Sequence, residues 1–139
     1  MTQEHKDLLL KDLCARLPYG VKAYVKNWSK LDQKYYENIY TVKSAFPSLN
    51  EVHVQSEKGS VDVILGHVDY VIKPYLFPLS SMTEEQKEEL IKLINTGQND
   101  NNEFMRSRCR IEFYHINHFD YIGLIPMGLA IDATDKNIY

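Results

Sequence analysis

Apolar residues recur along this chain with two different periods, and the change of period marks out its elements. Leu9, Leu10, Leu13, Cys14 and Leu17 share one face at helical spacing, with charged residues opposite. Thr2 is placed to cap that helix, which the spacing predicts from Thr2 to Arg16, because Pro18 disfavours helical geometry at Leu17 and Tyr19-Gly20 supplies a turn. From Val21 the period becomes two. Val21, Ala23 and Val25 alternate with Lys22, Tyr24 and Lys26, as in a strand with one face toward a core. Further strands are predicted over Asn38 to Lys43, Glu51 to Ser56 and Val61 to Leu65, the last two joined by a hairpin turn at Glu57-Lys58-Gly59-Ser60. Tyr70 to Ile72 reads as a last short strand before Pro74 and Pro78, which predict an extended connector in place of a ladder.

Helical signals then return. Ser81 with Glu84 and Thr83 with Gln86 form two overlapping capping boxes, and a helix follows from Glu84 to Asn95 with Leu90, Leu93 and Ile94 as its buried stripe and Gly97 as its C-cap. Gln98 to Glu103 is a polar loop. Ile111 to Phe119 fits a helix or a strand, with the helix preferred; Leu129 to Asp132 reads as a closing strand, and Lys136 to Tyr139 as a loose end. The order predicts one α+β domain over residues 1–139: a helix over 1–17, an antiparallel β region over 21–73, a helix over 83–96 and a helix/loop region over 97–139. Four to five short antiparallel strands would form a small twisted sheet or a half-open barrel.

Composition narrows the function classes. At 139 residues and 44% apolar content the chain can build a core without disulfide or metal support, and disorder is excluded. A formal charge of −3 excludes a strongly basic nucleic-acid packer. The distribution is uneven, however: residues 1–50 hold eight basic and five acidic side chains, the remainder eight and fourteen. The charged opening Met1 to Asp7 predicts no export signal, and the ten-residue apolar run Ile122 to Ile131 is too short to span a bilayer, so a cytoplasmic protein without a membrane segment is expected. Cys14 and Cys109 lie in no paired motif and are expected to be reduced.

Three stretches carry a resemblance: Leu13-Cys14-Ala15-Arg16-Leu17-Pro18-Tyr19-Gly20-Val21, the run from Lys73-Pro74-Tyr75-Leu76-Phe77-Pro78 through Leu79-Ser80-Ser81-Met82-Thr83-Glu84-Glu85, and His118-Phe119-Asp120-Tyr121 leading into Gly123-Leu124-Ile125. Together they resemble a family of small uncharacterised proteins of intestinal anaerobic bacteria, often associated with prophages or mobile elements. The resemblance implies a bacterial or phage accessory protein and assigns no catalytic or ligand-binding residue. The chain departs from the family between Tyr24 and Val54, which is longer and richer in tyrosine.

Three groups of residues carry candidate chemistry. Tyr75, Leu76, Phe77 and Leu79 put large apolar side chains on a proline-bounded segment, a protein-docking patch if exposed. Between residues 19 and 46 five lysines interleave with aromatics, and Lys22, Tyr24, Lys26, Trp28, Lys30, Lys34 and Tyr36 have the composition of a surface that stacks bases and contacts phosphates. The same residues also suit a solvated strand face. His115, His118 and Asp120 offer ligands for a divalent metal, with His53 or His67 available to complete a site, or else form hydrogen-bonding core groups, the reading preferred here. Arg106, Arg108 and Arg110 would point one way in a strand and fan out in a helix, where carboxylates of the Glu84 to Glu89 helix are their expected partners. No P-loop, dinucleotide fingerprint or nucleophile elbow occurs. The expected function is a non-enzymatic protein-interaction or accessory module with no cofactor. A nucleic-acid accessory protein is the alternative, and a metal-dependent hydrolase a third.

Overall fold

The computed structural model describes residues 1–96 and 103–139. Helix α1 spans Gln3–Arg16, with the Thr2 hydroxyl accepting from the His5 N–H at 3.1 Å. A 3-10 turn, Leu17–Tyr19, and Gly20 at φ +66° redirect the chain into strand β1, Lys22–Ser29. Strands β2, Lys34–Phe46, β3, Glu51–Ser56, β4, Gly59–Ile64, and β5, Tyr70–Pro78, follow. Helices α2, Glu84–Thr96, and α3, Glu103–Ile116, come next, then the two-residue strands β6, Phe119–Asp120, and β7, Ile131–Asp132.

The first five strands are antiparallel in the order β4-β3-β2-β1-β5, as their alternation predicts. The sheet is nonetheless larger than expected and mixed, because β6 and β7 both pair with β5 in parallel. Leu76 C=O accepts from the Ala133 N–H while the Phe77 N–H donates to His118 C=O, both at 2.8 Å, so the two short strands flank opposite edges of β5. Pro74 does not end the ladder. It faces Ala23, whose backbone groups serve β2, at a position where β1 and β5 exchange no hydrogen bond, so the missing N–H removes nothing.

One face of the sheet is covered by α1. Leu9, Leu10 and Leu13 lie on Val21, Val25, Val42, Val52, Val54 and Val63, all at most 3% exposed. The stripe on α2 is less fully covered among the described residues: Leu90 and Ile94 are half-buried and Leu93 is 40% exposed. This overturns the expected burial, and the reason is placement: α2 leans on α3 and contributes no residue to the core beside the sheet. Its cap is the Thr83–Gln86 box, with reciprocal bonds of 3.1 and 2.9 Å, whereas the Ser81 hydroxyl donates to Pro78 C=O instead of meeting Glu84. Gly97 and the polar run 98–102 lie outside the described residues, and Glu103 opens α3.

The C-terminal end is tied down, contrary to expectation. Beyond the Ala23–Pro74 pair, the Tyr139 hydroxyl sits between β1 and β5, accepting from the Lys22 N–H at 3.0 Å and donating to Tyr75 C=O at 2.7 Å. Lys22 Nζ donates to Ile138 C=O at 3.0 Å, and burial pushes the Tyr139 hydroxyl up to about 12. A single oxygen thus replaces the direct ladder bond that Lys22 and Tyr75 would share.

Candidate functional site

His115, His118 and Asp120 do not converge on a common point. His115, on the last turn of α3, bonds the Tyr121 hydroxyl through Nε2 at 2.8 Å. His118 lies past the helix end at φ +59°, with its ring stacked on Tyr139 at 3.8 Å and its Nδ1 buried without a partner among the described residues. Burial, together with the Arg16 and Lys22 charges, lowers its pKa to about 4, so it is neutral in the fold. The Asp120 carboxylate accepts the N–H groups of Gly123, Leu124 and Ile125 at 2.8–2.9 Å, which holds the following loop and leaves it few free lone pairs. His53 lies in β3, bonded to Asp62 at 2.6 Å, and His67 lies between β4 and β5. Among the described residues no group of three His, Cys, Asp or Glu side chains is placed to hold a metal ion. Cys14 and Cys109 are unbridged.

A buried ion pair organises this end of the molecule. Arg16 Nε meets Asp12 Oδ2 at 2.9 Å, its Nη2 donates to Phe119 C=O at 2.6 Å, and its guanidinium lies 5.8 Å from the Tyr121 ring centre. Both side chains are fully buried. Burial raises the Asp12 carboxyl against the opposing pull of Arg16. The signal was in the sequence: an Asp and an Arg four apart on the same side of α1 as Leu9 and Leu13.

The segment Tyr75 to Leu79 is not an exposed patch. Leu76 is fully buried and Tyr75 is 7% exposed; Phe77 is half-buried, and Leu79 alone is exposed. The physical reason is that β5 continues through Pro74 and carries these residues into the sheet between β6 and β7. Arg106 pairs one turn back with Glu103 at 3.7 Å instead of with α2. A cleft of about 420 Å³ beside α3 is lined by Tyr19, Ser107, Arg108, Ile111, Glu112 and His115. In that cleft the His115 Nε2 is engaged by the Tyr121 hydroxyl.

The Lys/Tyr-rich segment forms a projecting hairpin arm. Residues directly across the β1–β2 ladder share a face, so Lys22, Tyr24, Lys26 and Trp28 stand with Thr41, Ile39, Glu37 and Tyr35 on the side away from α1. Lys34 and Tyr36, opposite Ser29 and Asn27, belong to the other face, and Lys30 lies in the turn. The pleat therefore splits the seven candidate residues, which do not form one surface. Many are paired with one another: Trp28 packs edge-on to Tyr35 at 4.8 Å, Lys26 lies 4.7 Å from the Tyr35 ring centre, and Lys34 lies 4.9 Å from that of Tyr36. The acids are occupied as well. Tyr24 donates to Glu37 at 2.7 Å, with burial and this carboxylate pushing its hydroxyl up to about 12, and the Tyr36 hydroxyl donates to Asp32.

What the alternation could not reveal is the arm's open edge. β3 reaches β2 only as far as Thr41, paired with Gln55, so residues 34–40 of β2 are laddered to β1 alone. The Val42 N–H donates to Val21 C=O, which fixes the parity: residues 36, 38 and 40 direct their backbone groups to β1, and Tyr35, Glu37 and Ile39 direct theirs outward. The Ile39 N–H is covered by its neighbour's Asn38 Oδ1 at 2.8 Å. Among the described residues, the outward backbone groups of Tyr35 and Glu37 meet no neighbouring strand. Beside this edge lies a notch of about 410 Å³ lined by Asn27, Tyr36, Asn38, Tyr40, Lys58 and Val61, within the roughly 300–1,000 Å³ of ligand clefts. Leu31, at the tip, is 94% exposed. No family model, curated protein or solved structure matches the chain, so no assignment to a family enters from outside.

Proposed function

We propose that the chain is a non-enzymatic protein-interaction module whose contact element is the β1–β2 arm. The observation that carries the reading is the edge of residues 34–40: seven residues of the longest strand, paired on one side only, leading from an exposed Leu31. Exposed strand edges are normally shortened, covered or charged, because they template pairing with another chain. This one is long and rich in tyrosine, which suits a surface kept open for a partner. The bacterial or phage setting comes from the resemblance of the three stretches and is part of the same proposal.

A photoreactive benzoylphenylalanine at Leu31, compared with one at the exposed Glu85 of α2, tests this in cells of the source. The expected result is a discrete polypeptide adduct from Leu31 and none from Glu85. Equal yields from the two sites would overturn it. The nucleic-acid alternative keeps one supporting observation, the single face shared by Lys22, Tyr24, Lys26 and Trp28. Single-stranded DNA titrated at two salt concentrations decides it: tight binding that weakens with salt would replace the protein-interaction reading.

A further inference from the structure

The open edge of the arm has a polarity that says what kind of segment fits it, and we infer that it takes an extended, acidic stretch of a partner polypeptide as an added strand of the sheet. The inference rests on the interaction-module reading above and specifies its ligand. An incoming strand would meet the outward N–H and C=O groups of Tyr35 and Glu37 at the spacing of a sheet ladder, which supplies register without regard to sequence. Its side chains would then alternate between two different environments.

On the side facing away from α1, the added strand would lie beside Tyr35, Glu37 and Ile39, where apolar or β-branched side chains pair well across strands. On the other side its residues would enter the notch, which is lined by Tyr36, Tyr40, Val61 and Lys58 among others. Charge selects between possible occupants. Lys58 makes no side-chain ion pair among the described residues, and Lys34 rests on the Tyr36 ring and not on a carboxylate. Glu37, the one acid lining the notch, already accepts from Tyr24 and stands 3.9 Å from Lys26. The edge therefore presents positive charge with its own acid neutralised, and a carboxylate every second residue in the ligand satisfies it.

The probe is a terminally blocked nine-residue peptide alternating valine and glutamate, measured against its valine/lysine counterpart by fluorescence anisotropy on the full chain. The glutamate peptide is expected to bind at least about tenfold tighter, and Lys58→Glu should abolish that preference. N-methylation of every second amide should abolish binding in one phase and spare it in the other, because only one edge of the peptide meets the sheet. Equal or tighter binding of the lysine peptide, with that phase dependence kept, would overturn the acidic ligand and leave the interaction edge standing. Binding indifferent to the phase of N-methylation would overturn strand addition. Failure of both peptides overturns the inference, whereas the Leu31 crosslink reports separately on the interaction-module reading. Displacement of the peptide by single-stranded DNA would point to nucleic acid instead.

Discussion

Two helices with similar leucine spacing end in opposite situations. In α1 the apolar stripe lies on a sheet of valines, with Leu9 and Leu13 fully buried, and even the charged Asp12 and Arg16 are drawn inside. In α2 the same kind of stripe leans on α3, leaving Leu90 and Ile94 half-buried and Leu93 40% exposed. Periodicity tells which face of a helix is apolar; the element that covers the face is decided by topology. The α1–sheet unit is therefore where the stability resides, and the α2–α3 pair should tolerate change.

The largest effect should come from the ion pair. Arg16→Leu leaves the Asp12 carboxylate buried without its partner and removes the bond to Phe119 C=O, and should cost about 3 to 5 kcal/mol by denaturant unfolding. Loss below 1 kcal/mol would show that this end of α1 is hydrated. Leu13→Ala should follow at about 2 to 5 kcal/mol. Leu93→Ala, on the partly exposed face, should cost about 1 kcal/mol, and equal costs for the two would erase the contrast between the helices.

Acid should weaken the fold through His118. Its pKa is about 4 folded against 6.5 unfolded, so the unfolded chain binds the extra proton. Stability is complete above pH 6.5 and should fall by roughly 2 to 3 kcal/mol as pH drops toward 4, a loss that His118→Gln should remove. The smallest effect belongs to Tyr139→Phe. Losing the hydroxyl that joins Lys22 to Tyr75 should cost about 1 kcal/mol and speed hydrogen exchange at Lys22.

The first half of the fold was legible because its residues obey one period at a time. Val21, Ala23 and Val25, then Val52 and Val54, alternate without interruption and are all buried. Pro74 misled because a proline's effect depends on the phase of the ladder it enters, which composition does not carry. The Asp12–Arg16 spacing was there to be read, but the anchoring of Arg16 at Phe119 C=O and of Tyr139 between β1 and β5 was not, because those partners are distant in sequence. The arm's aromatic and lysine content was plain, but the open edge follows from β3 being shorter than β2, and its consequence appears only once the register is known.

Amide hydrogen exchange along β2, resolved residue by residue by NMR, tests the central claim most directly. In the free chain the amides of Tyr36 and Asn38, laddered to β1, should be protected, and those of Tyr35 and Glu37 should exchange fast. Addition of the valine/glutamate peptide should slow exchange at Tyr35 and Glu37 and leave Tyr36 and Asn38 as they were. Protection already present at Tyr35 and Glu37 in the free chain, or no change there at saturating peptide, would contradict the account.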